Sequence, residues 1–246
     1  MLKIFVVFHE KIFDECYEEI PQDILDKYFT FVAVNKNIPK KYTEGKYNVV
    51  NEWELPVYND QFQSKGYKEN SVIYHVIANK MHKDCKYIGF FQYDMVFTIN
   101  SINTILEGTN EESKCFYLEA CNYGFCAKET WNEPYVIEYL ISHYEHFYNK
   151  KFSRSYKNIY PLYNSYIIPV ETYEKVMDWV SVFYSRIAGI VVQRHFGHLA
   201  GLYERIMAFA IGEENLNMVK IEVKHEHDYK QYVTTGKDSL SQFKDT

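Results

Sequence analysis

The sequence has no surplus of positive charge: 27 Lys and Arg stand against 33 Asp and Glu, a net charge of −6. Proteins that hold nucleic acid non-specifically carry a basic excess to neutralise phosphates, so this balance argues against that class of partner. There is no G-x-G-x-x-G after the first apolar run and no G-x-x-x-x-G-K-[ST] anywhere. Dinucleotide-binding Rossmann and P-loop readings lose their main support. The five cysteines, Cys16, Cys85, Cys115, Cys121 and Cys126, form no C-x-x-C pair and are odd in number. Free thiols in a reducing compartment fit that count better than a disulfide framework. The histidine pairs His143/His146, His195/His198 and His225/His227 match neither H-E-x-x-H nor a zinc spacing. The apolar run in MLKIFVVFHE is too short for a signal peptide or a membrane span and reads as a strand. The expectation is a cytoplasmic protein with no transmembrane segment, peripheral membrane association being left open.

What is present is a chain of 246 residues, 47% hydrophobic, long enough to bury a full core without staples. Aromatics reach 18%, with 24 Tyr and 17 Phe. Tyr joins an apolar body to a polar tip and suits the edges of pockets; an AT-rich genome would enrich it equally. Leu2–Phe8 and Phe29–Val34 are continuous apolar runs, as for strands buried on both faces. Asp14–Leu25 has helical character broken at Pro21, and Asn70–Met81 begins with capping residues and keeps helical spacing. Val49-Val50 and Trp53–Val57 read as strand or loop, and Asn59–Lys68 as loop. Tyr87–Phe91, Cys115–Ala120, Tyr166–Pro169 and Val219–Val223 read as strands, and Glu133–Tyr148, Val170–Tyr184 and Arg194–Ile211 as helices. Strand–helix alternation predicts one α/β domain with a mainly parallel, doubly wound sheet and a more helical second half. No composition shift, repeat or low-complexity segment divides it. The tail beyond Tyr232 is polar.

In an open α/β sheet, ligands bind beyond the carboxyl ends of the strands. Three such ends draw attention: Phe8-His9-Glu10, Val34-Asn35-Lys36 and Gln92-Tyr93-Asp94. The last closes a unit of polar-capped helix, short loop and apolar strand, from Asn70 to Asp94. That unit resembles the nucleotide-sugar half of GT-A glycosyltransferases, whose strand usually ends Asp-x-Asp. The resemblance implies a Mn²⁺ or Mg²⁺ held against the donor diphosphate, because hard cations prefer oxygen ligands and neutralise the departing charge. Here Gln92 stands at the first acidic position and Asp94 at the second.

The second half resembles a family of capsular and exopolysaccharide glycosyltransferases long known as a domain of unknown function. The matching positions are Asn164 and Ile168 on a strand, Trp179 within a helix, Arg194, Phe196 and Gly197 at a turn, and Glu204-Arg205 on a helix. KIFVVFHE is similar to the family's first strand. The family usually shows His-Tyr-Arg where this chain has Gln92-Tyr93-Asp94.

The two resemblances imply a GT-A-like glycosyltransferase over residues 1–232, with a nucleotide-sugar half (1–100), an acceptor half (101–232) and a polar tail (233–246). Its partners would be a nucleotide-sugar donor, most simply a UDP-sugar, and a glycan acceptor. Glu204 is the candidate base, with Asp94 and His198 beside it as catalytic candidates; the alternative is an ordinary Glu-Arg pair on a helix surface. Val7, Phe8, His9, Asn35, Asn70, Ser71, Gln92, Tyr93, Asn164 and Arg194 are candidate contacts to the nucleotide sugar. Asn70 and Ser71 serve equally as plain helix caps. Asp94 and His225 are the candidate metal ligands. Two rival readings stay open: a metal-dependent hydrolase or nucleotidyltransferase, and an inactive homologue that binds a glycan or nucleotide sugar.

Overall fold

A computed structural model describes residues 1–64, 66–111, 113–123, 134–155, 157–184 and 199–224. Strand β1 (Leu2–Phe8) is central. Its Leu2, Ile4, Val6 and Phe8 enter one apolar cluster, and its Phe5 and Val7 the other. That is the two-residue period of a strand, and its apolar continuity is what a strand covered on both sides requires. Helix α1 (Gln22–Tyr28) leads to β2 (Phe29–Ala33), a parallel neighbour of β1. Pro21 stands at the cap of α1, where it lacks no needed N–H, so the expected break falls just before the helix. Strand β3 (Val49–Asn51) pairs parallel with β2. Helix α2 (Glu69–Ala78) crosses to β4 (Tyr87–Gln92), the other parallel neighbour of β1, with Gln92 opposite Val7.

The chain continues through β5 (Val96–Phe97), α3 (Ile99–Gly108), β6 (Lys114–Tyr117) and β7 (Ala120–Cys121). Then come α4 (Pro134–Tyr148), β8 (Tyr160–Pro161), β9 (Tyr166–Pro169), α5 (Val170–Val180) and α6 (Leu199–Gly212). Strands β10 (Asn217–Lys220) and β11 (Val223–Lys224) end the described chain. The main sheet runs β10-β6-β9-β4-β1-β2-β3. It is parallel except for β9, which is antiparallel to both neighbours. Helices α2, α4, α5 and α6 cover one face and α1 and α3 the other, giving three layers.

The three strands expected in the second half are present as β6, β9 and β10 of the main sheet. Of the two readings of Trp53–Val57 the loop holds, with a 3-10 turn over Glu52–Glu54. The structure departs from the sequence expectations in two places. A short helix, Gln61–Ser64, interrupts the Asn59–Lys68 loop. Helix α3 was not anticipated, though Thr98 and Ser101 form a capping box ahead of it and Ile102 and Ile105 are buried at helical spacing. The four described cysteines are free thiols. No helix among the described residues is long and apolar enough to cross a membrane.

Candidate active site

Side chains alternate along β4, so Gln92 shares the face of Ile88 and Phe90, the face covered by α2 and α6. Its amide nitrogen donates to the Tyr163 carbonyl at 3.2 Å. Just past β1, His9 lies 3.4 Å from a carboxylate oxygen of Glu69, the first residue of α2. A carboxylate there is favoured by the unpaired N–H groups of the helix end. The Tyr93 ring meets the His9 ring edge-on at 6.1 Å and stacks on Phe13 at 5.4 Å.

Glu204 sits in the second turn of α6, half-buried. The Tyr163 N–H donates to its carboxylate. Burial pushes its carboxyl above the usual carboxylate range; Arg205 and the Tyr163 bond pull it back, and the charge on Glu69 adds to the rise. Tyr163 therefore ties both sides of the site, through its carbonyl to Gln92 and through its N–H to Glu204. Tyr163 and Asn164 both hold left-handed backbone, with φ of 61° and 49°. Asn tolerates that region, but for Tyr it is strained. Such strain persists only where surrounding contacts impose it, and it gathers at functional sites. Arg205 is turned back along α6, its guanidinium donating to the Gly201 carbonyl at 2.9 Å.

Not every expected residue is open to solvent at this edge. Val7 and Phe8 are fully buried, so only their backbone faces outward from the strand end. Ser71 is closed inside the fold, donating to Glu52 at 2.6 Å. Asn70 is also buried; its amide nitrogen donates to Tyr67 O at 3.1 Å and Ala200 O at 3.2 Å, clamping α2 to the start of α6. Asn35 accepts the Asn37 N–H in a tight turn at the end of β2. Arg194, His198 and His225 lie outside the described residues. Glu69 and Tyr163 are residues of this edge that the sequence expectations did not include. A first-turn acid was the one available signal for Glu69; a left-handed Tyr leaves none.

Asp94 is buried in the turn after β4. Its charge adds to burial, Cys16 and Tyr47 in raising the Tyr17 phenol, whose hydroxyl reaches Tyr93 O at 3.5 Å. Antiparallel pairing sets Lys224 opposite Val96, two positions from Asp94. No three His, Cys, Asp or Glu side chains among the described residues gather as a metal site. With Gln92 bonded to Tyr163, the described residues by themselves do not fit a resident divalent cation.

No protein-family model matches the chain, and no curated protein matches it in sequence. Among solved structures, WbbM, described as a bifunctional glycosyltransferase in its apo form, is similar with a TM-score of 0.62 and 11% identity. The match covers 90% of this chain and 45% of WbbM, so the chain spans less than half of that protein. The apo form of mouse xyloside xylosyltransferase 1 aligns over 89% of this chain and 84% of its own, with 9% identity and a TM-score of 0.43. The narrower kinship with the capsular polysaccharide family finds no counterpart among family models. The likeness to WbbM is one of fold: the chain is a single-domain, GT-A-like α/β structure with a mostly parallel sheet flanked by helices.

Proposed function

We propose that this protein is a glycosyltransferase that moves a sugar from a nucleotide-diphosphate sugar, in the first instance a UDP-sugar, to a glycan acceptor. The observation that carries the reading is Glu204: a half-buried carboxylate with a raised pKa, at the carboxyl edge of a GT-A-like sheet, held by Tyr163. A base poised nearer neutrality removes a hydroxyl proton more effectively than an ordinary carboxylate. In the proposed step the acceptor oxygen gives its proton to Glu204 and bonds the anomeric carbon. The bond from that carbon to the diphosphate breaks, and the nucleoside diphosphate leaves. His9 and Gln92 line the donor side. A Mn²⁺ or Mg²⁺ would depend on the phosphate oxygens of the donor together with Asp94.

A second reading, nucleotide-sugar binding without turnover, draws support from Gln92, a neutral residue whose amide is engaged by Tyr163. Thermal unfolding with UDP, GDP and their sugars, with and without Mn²⁺, tests the donor claim. A specific ligand at a hundredfold excess over its dissociation constant should stabilise the protein by about 2.7 kcal/mol. If no nucleotide raises the melting temperature, the donor reading fails. Turnover assays on the ligand that binds then separate transfer from binding alone.

A further inference from the structure

Three side-chain oxygens near Glu204 are buried with no hydrogen-bond partner among the described residues: Asn70 Oδ1, Asn164 Oδ1 and Tyr166 Oη. Buried polar atoms are almost always paired, so three orphans in one neighbourhood call for a missing donor. They come from two segments, the start of α2 and the stretch from Asn164 into β9, which meet α6 at Ala200 and at Glu204. Asn164 follows Tyr163, whose N–H bonds Glu204. Tyr166 lies two residues further, on the face of β9 that meets α6. Burial first, then the charges of Cys115 and Glu204, holds its phenol well above the usual range, so it carries its proton. Asn70 donates to Ala200 O, one helical turn before Glu204. Its amide nitrogen serves two carbonyls, which identifies the leftover atom as the oxygen.

The ligand chemistry follows from this inventory. Two amide oxygens accept only, and a phenol can donate or accept. An occupant must present several donors at fixed spacing and carry no negative charge, since Glu204 and Glu69 stand close by. Sugar hydroxyls each donate and accept. We propose that Asn70, Asn164 and Tyr166 form a subsite beside Glu204 for an uncharged sugar ring, whose hydroxyls donate to the two amide oxygens and share a hydrogen bond with the phenol. The choice of a sugar rests on the glycosyltransferase reading; the unpaired oxygens do not.

Saturation-transfer NMR on the full chain tests this without turnover or nucleotide. The probes are methyl glycosides of glucose, galactose and xylose, with glucuronate as the anionic control. The wild type should transfer saturation to at least one neutral glycoside and not to glucuronate. Tyr166→Phe and Asn164→Gly, the latter chosen because glycine keeps the left-handed backbone, should each lower that transfer at least several-fold. Tyr166→Phe should also melt no lower than the wild type, since it removes a hydroxyl that has no partner. Repeating the experiment with saturating UDP-glucose assigns the source. A donor subsite loses the free glycoside to competition, and an acceptor subsite keeps it. If no neutral glycoside engages, or if both variants bind as the wild type does, the oxygens hold ordered water only and the proposal is wrong. UDP binding in that case would leave the glycosyltransferase reading standing.

Discussion

Glu204 makes the sharpest residue-scale demand. If it is the base, Glu204→Gln should keep fold and donor binding while turnover falls about a hundredfold to ten-thousandfold. The base must be ionised, so the acid limb of the rate profile should lie above the range of an ordinary glutamate. Stability carries the opposite sign. A carboxyl whose folded pKa is raised binds more protons in the native state between its unfolded and folded pKa values. Wild-type stability should therefore fall as pH rises through that window, and Glu204→Gln should flatten the slope. Paired urea melts at several pH values, with a turnover assay on the same mutant, measure both. A mutant with unchanged turnover removes Glu204 from the chemistry, and a lower melting temperature at neutral pH points to a holding role instead. The carboxylate was visible in the sequence as half of a Glu-Arg pair. Its partner Tyr163 was not, because only the crossing of β9 past β4 sets that backbone beside it.

At the scale of elements, two contacts decide how well the site is framed. Strands β4 and β9 run so close that a methyl group on Gly89 would sit 2.6 Å from Ile167 Cγ1. Gly89→Ala should destabilise by about 1–3 kcal/mol through overpacking, read as a lower urea midpoint with unchanged m-value. The other contact ties α2 to the loop before it. Buried Glu52 accepts from Ser71 at 2.6 Å, His75 Nδ1 at 2.8 Å and Gln63 at 3.0 Å. The Asn59 N–H points at His75 Nε2 at 3.0 Å, which makes that nitrogen the acceptor and Nδ1 the donor to Glu52. Glu52→Leu leaves the buried His75 Nδ1–H without an acceptor, while Ser71 keeps the Lys68 carbonyl, and should cost about 1–3 kcal/mol. A melting temperature within a degree of wild type would contradict that account. Strands β1, β2 and β4 were legible because each is a short apolar run that closes on a polar residue, and β9 because its apolar run closes at Pro169. The Glu52 cluster was not, since a glutamate and a histidine carry no local mark of whether they are solvated or buried together. Ser71 misled for the same reason: a hydroxyl at a helix start suits a ligand, a cap and a buried carboxylate equally.

For the whole molecule, the alternation of strands and helices was enough to foresee a doubly wound sheet, and the antiparallel β9 was beyond it. Orientation within a sheet depends on how the connections travel, which no local pattern records. What the sheet does is bring His9, Glu69, Gln92, Tyr163 and Glu204 from five distant segments to one edge. The account stands on that edge being where the nucleotide sugar binds. Titrating ¹⁵N-labelled protein with UDP tests it most directly. The account expects saturable shifts of the Gln92 side-chain amide and the Tyr163 backbone amide, with the amides of α1 and α3 on the opposite layer unmoved. Saturating UDP that leaves both Gln92 and Tyr163 in place would contradict it.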